Sequence, residues 1–171
     1  MTRGLAGACL ALLLSLACAS DLRTRRIPNK LVLVVAALGL VFGLVTKPWV
    51  AGLTEAGMGL VTGLIVWLPF YAVRMVGAGD VKLFAAASTF LTPKTAVEAA
   101  VYTALFGGVM ALGYMLAHSG WRSTFIRLGH VTQQPTLLRN EPSAMRWRMP
   151  YAFAIAAGVL IVVWWPGHII S

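Results

Sequence analysis

A series of apolar runs separated by short polar, proline-containing or basic breaks constrains this chain more than any other feature. A bilayer core offers no water to backbone N–H and C=O groups, so a run that enters it must satisfy its own hydrogen bonds, as a helix does. Composition agrees. Apolar types make up 59% of 171 residues, charged types only 11%, and mean hydropathy is +0.81, which leaves too little polar surface for a water-soluble domain. The expectation is an all-α, polytopic integral membrane protein forming one compact domain. A net charge of +9 would suggest nucleic acid on a soluble fold. Here the basic residues sit in the gaps between apolar runs, so topology accounts for them and no nucleic-acid partner is expected.

The first expected span covers residues 4–20. It has outward features of a secretory signal, with Arg3 before it and Ala17-Cys18-Ala19-Ser20 at its end. The basic cluster Arg23, Arg25 and Arg26 follows at once and resists translocation, and Ser15 breaks a lipoprotein reading of Cys18, so the run is read as a retained helix. Pro28 and an Asn29 N-cap begin a second span, 30–46. Lys47-Pro48-Trp49 ends it, and a third occupies 57–73. Gly39 with Gly43, and Gly59 with Gly63, have the four-residue spacing that lets helix backbones approach closely. The fourth span, 81–92, is too short at about 1.5 Å per residue to cross a core of about 30 Å unaided. Either Thr92 with Pro93, or Thr95 with Glu98 as a capping box, opens a fifth span, 95–117. A polar connection, 118–148, precedes the sixth, 150–166. Cys9 and Cys18 fall on opposite faces of one helix and are expected to be free, structural thiols.

With six spans, connections alternate between the two sides of the membrane. The 1–2 connection (Arg23, Arg25, Arg26, Lys30), the 3–4 connection (Arg74, Lys82) and the 5–6 connection (Arg122, Arg127, Arg139, Arg146, Arg148) hold eleven of the fourteen basic residues. Arg3, Lys47 and Lys94 fall on the other side. By the positive-inside rule both termini are outside and these three connections are cytoplasmic. Trp121 and Trp147 then lie near the cytoplasmic interface and Trp49, Trp164 and Trp165 near the outer one, while Trp67 falls inside a span.

The chain has only two aspartates, Asp21 and Asp80, and both lie in those cytoplasmic connections. A short fourth helix would set Asp80 roughly 10 Å below the membrane surface, where an ionisable group is costly and usually functional. Gly77-Ala78-Gly79 before it reads as non-helical backbone lining a recess. Asp80 could instead simply cap a helix, and Asp21 could simply pair with Arg25. Yet an acid at a helix C-terminus opposes the macrodipole. Two carboxyls close together share one proton, so one can deprotonate water while the other polarises a carbonyl. His118, His130 and His168 are scattered without ligand spacing, so neither metal nor cofactor is expected.

The stretch Gly77-Ala78-Gly79-Asp80-Val81-Lys82-Leu83 resembles the GxGD signature of membrane aspartic proteases. Ser20-Asp21-Leu22-Arg23-Thr24-Arg25-Arg26-Ile27-Pro28-Asn29 resembles the segment bearing the first catalytic aspartate of prepilin peptidases. Pro150-Tyr151-Ala152-Phe153-Ala154-Ile155-Ala156-Ala157-Gly158 is similar to a run in that family's last helix, with Ala152 where glycine is expected. The resemblance is closest to the short peptidases of tight-adherence (Flp-type) pilus systems. It implies a GxGD protease fold in the bacterial inner membrane, with catalytic Asp21 and Asp80 and an active-site loop containing Gly77 and Gly79. Lys82, Pro150 and Tyr151 are candidate supports. The implied reaction is cleavage of prepilins or pseudopilins after a leader glycine at the cytoplasmic face, beside membrane lipid. The cysteine-quartet insert of the long members is missing, so N-methylation is not expected. Oligomeric state is left open.

Two other classes remain as alternatives: a proton-coupled transporter using the two acids as a relay, and a non-catalytic pilus or secretion assembly subunit. A relay should distribute its carboxyls through the membrane depth, with its transport site near the midplane. Both acids here fall toward one face.

Overall fold

The structure, a computed structural model, describes residues 2–24, 27–73, 76–133 and 151–165, and its regular elements are all helical. They are α1 (Thr2–Thr24), α2 (Asn29–Thr46), α3 (Trp49–Ala72), α4 (Ala78–Ala87) with a 3-10 turn at Ser88–Phe90, α5 (Pro93–Gln133) and α6 (Ala152–Trp164). Four stretches are long and apolar enough to cross a membrane: Gly4–Thr24, Asn29–Thr46, Trp49–Ala72 and Pro93–Gly113. The helix α6 is as apolar but has only 13 residues.

Prolines set the starts. Pro28 (φ −65°, ψ 133°) caps α2 and Pro48 (φ −51°, ψ 138°) caps α3, each in the extended backbone that proline supports before a helix. The N-cap of α2 is therefore Pro28, and Asn29 is its first helical residue. Pro48 not only ends α2 but begins α3 at once, so the third helix starts at Trp49, ahead of the expected residue 57. The fifth starts at Pro93 and runs on to Gln133, past the expected limit at residue 117 and through the first part of the supposed polar connection. At about 1.5 Å per residue it is roughly 60 Å long, twice a bilayer core.

The helix α4 is the hub. Val81, Leu83, Phe84, Ala85, Ala86 and Ala87 are all buried, the pattern of a helix surrounded by protein, and it packs against α2, α3 and α6. Small residues let the neighbours approach: a Cβ on Gly39 would strike Thr89 and Phe90, and one on Gly59 or Gly63 would strike Ser88. Both glycine pairs thus do the close packing their spacing predicts. Farther along, Gly43 of α2 meets Gly52 of α3 backbone to backbone, and Gly158 of α6 rests on Thr103 of α5. Leu10, Leu14, Leu83, Phe84 and Ile155 fill the interior. Leu33, Val45, Ile65, Leu105 and Val109 lie on the outside, as a lipid-facing surface requires. Cys9 and Cys18 are free thiols.

Candidate active site

The helix ends sort into two groups. The C-terminus of α1 and the N-termini of α4 and α6 form one end of the bundle. The α2–α3 turn, with Lys47 ion-paired to Glu55, meets the α4–α5 turn at the other. Both aspartates belong to the first end.

Asp21 continues the inward stripe of α1. Leu10, Leu14, Ala17 and Cys18 are buried, and residue 21 is the next position on that face. Its carboxyl accepts a hydrogen bond from the backbone N–H of Ala152, the first residue of α6. That N–H is one of the donors a helix leaves unused at its start, and the helix dipole there is positive. The unfavourable dipole of α1 is thus offset by the favourable one of α6. Asp21 Oδ2 is buried with no hydrogen bond of good geometry among the described residues. Arg25, the alternative partner on sequence, lies outside the described residues.

Asp80 sits in the first turn of α4. The N–H of Gly77 donates to its Oδ2 at 3.3 Å, and its own N–H donates to the Gly77 carbonyl at 3.1 Å. Asp80 does cap its helix, therefore, without being surrendered to that task, because it remains half-buried at the shared end. The preceding segment is more ordered than the glycines suggest: Ala78 and Gly79 already belong to α4, and only Gly77 is extended (φ −76°, ψ 150°). Buried Val76 and Val81 anchor it on either side. Gly79 packs on Ile27, to which a Cβ would come within 3.6 Å, so the segment after Asp21 and the segment bearing Asp80 touch.

The two carboxyls are close enough for the charge of Asp21 to act on Asp80, and that of Asp80 acts in turn on the Tyr151 phenol. The Tyr151 ring meets Trp67 edge-on, with centroids 6.3 Å apart. Trp67 also packs on Phe84 at 5.6 Å, one turn beyond Asp80, and on Phe70 at 5.4 Å. Of the other candidates, Lys82 is exposed, and Pro150 lies outside the described residues. Among the described residues no group of His, Cys, Asp and Glu could hold a metal ion. Sequence reasoning missed Trp67 and Phe84 as neighbours of the site, and Gly107, whose surface lies against the Tyr151 ring. The signal available was Trp67 itself, the tryptophan that no interface explained.

The profile of the type IV leader peptidase family matches residues 8–112, more than half of the chain, with both aspartates inside the match. The chain belongs to the type IV leader peptidase family. No curated protein and no solved structure matches it. Membership makes the protein a peptidase, and its apolar helices make it one built for a membrane. The match stops before α6, so the place of Tyr151 in this peptidase rests on geometry.

Proposed function

We propose that this peptidase is an aspartic endopeptidase of the bacterial inner membrane. It hydrolyses the bond after the leader glycine of type IV or Flp-like prepilins at the cytoplasmic face, with Asp21 and Asp80 as its catalytic pair. The observation that carries this reading is the convergence of the chain's two aspartates, one from α1 and one from α4, at one end of the bundle within reach of each other's charge. Six spans with both termini outside follow from the distribution of basic residues, with α4 and α6 as short spans supported by their neighbours.

Like charges at such proximity do not both ionise readily, so the pair works with one proton. The carboxylate takes a proton from water as its oxygen attacks the scissile carbonyl carbon, and the carboxylic acid donates to the carbonyl oxygen. Collapse of the tetrahedral species breaks the C–N bond, and a proton passes to the leaving amine. A prepilin suits this site, because its basic leader stays in the cytoplasm while its apolar helix lies in the bilayer, which holds the bond between them at the interface. Basic residues on that face engage lipid headgroups.

The test is processing of a prepilin by wild type, Asp21→Asn and Asp80→Asn at matched membrane abundance. Wild type processes and each variant is inactive. Full processing by either single variant rules out the pair.

A further inference from the structure

Tyr151 is tied to both aspartates, for the charge of Asp80 acts on its phenol. Its successor in the chain, Ala152, gives its N–H to Asp21. Its ring lies edge-on to Trp67, which packs on Phe84 one turn from Asp80. The ring also presses on Gly107 of α5, where a Cβ would sit 2.8 Å from Oη and 2.9 Å from Cε1 and Cζ. Those separations are shorter than ordinary contact, so any side chain at 107 would push the tyrosine away. The adjacent Gly108 has nothing within 4 Å of such a Cβ. Resting on the aspartic peptidase reading, we infer that Tyr151 is a positioning residue for the catalytic pair, that its ring fixes the start of α6 so that the Ala152 N–H holds Asp21, and that Gly107 is the notch that seats it.

An N–H aimed at a carboxylate favours the charged form, and each carboxyl has one such donor, Ala152 for Asp21 and Gly77 for Asp80. Asp80 is the more deeply buried, so Asp21 is the member that carries the charge and accepts the proton of water. The charge of Asp21 acts on Asp80 and on the Cys18 thiol of α1, and that of Asp80 acts on the Tyr151 phenol ahead of α6. A misplacement of the order of 1 Å at a reacting group costs rate steeply.

The experiment measures prepilin cleavage against pH for wild type, Gly107→Ala, Gly108→Ala, Tyr151→Ala and Tyr151→Phe, with Asp80→Asn as the inactive reference. Gly107→Ala and Tyr151→Ala lose at least about tenfold in rate, and their acid limb moves to higher pH, because Asp21 has lost the donor that favours its charge. Gly108→Ala matches wild type. Tyr151→Phe, which keeps the ring, loses less than Tyr151→Ala. If Gly107→Ala fails to fold, Tyr151→Ala carries the test alone, since it leaves the notch empty and creates no clash. A wild-type rate in Tyr151→Ala, or a rate loss with the acid limb unmoved, overturns the inference while leaving the peptidase intact. Inactive wild type, or active Asp80→Asn, removes the peptidase reading and the inference with it.

Discussion

Gly77 and Gly79 flank one alanine and face different surroundings. A Cβ at 77 would come within 3.0 Å of Asp80 Oδ2, whereas one at 79 would make an ordinary 3.6 Å contact with Ile27. Gly77→Ala should displace the carboxyl and slow processing by about tenfold, a rise of about 1.4 kcal/mol in the barrier. Gly79→Ala should cost less, and equal losses in a steady-state cleavage assay would contradict the geometry. At this scale the aspartates were legible in the sequence, because two acids at the edges of apolar runs need a reason. Trp67 and Gly107 were not. A helix pattern tells which face is buried but not which side chain from a distant helix meets it, and the Tyr151–Gly107 contact joins residues far apart in the chain.

Among the elements, α4 decides the architecture, since a 10-residue helix buried on nearly all sides has no lipid-facing surface to tolerate change. Gly59 of α3 lies under its C-terminal turn, against the carbonyls of Ser88 and Leu91. Gly59→Leu should lower thermal stability in detergent by about 1–3 kcal/mol through overpacking, while the same change at Gly57, which faces open space, should be nearly neutral. The short fourth helix was readable from its length. Two boundaries were not, for physical reasons. Pro48 stops one helix and starts the next, and a sequence pattern records only the break. The polarity of residues 118–133 signals an exit from apolar surroundings, and a helix can continue past that point. Thr95 and Glu98 have the spacing of a capping box, but Thr92 with Pro93 took the role: the Thr95 N–H donates to Thr92 Oγ1 at 3.4 Å, and Glu98 is buried at 2% exposure. Its Oε1 has no partner among the described residues, a costly placement that neither the local pattern nor the proposed chemistry explains.

For the molecule as a whole, the exposed leucines, valines and isoleucines of α2, α3 and α5 form a surface suited to lipid, and Trp49, Trp164 and Trp165 are exposed at the end away from the aspartates. This is the arrangement expected of an aromatic belt. The all-helical class followed from hydropathy alone, because backbone satisfaction in lipid leaves few choices. The sidedness is a proposal from charge, with a direct check: a cysteine placed in residues 134–148 should react with a membrane-impermeant reagent only after the cells are opened, and labelling from outside would invert the topology. The central claim concerns the pair of carboxyls, and the pH dependence of prepilin cleavage by the wild-type enzyme tests it most directly. If Asp21 and Asp80 share one proton, the rate falls on the acid side as the charged member is protonated and on the alkaline side as the second proton is lost. A bell-shaped profile is the predicted result, and a flat one through the acid range would contradict the account.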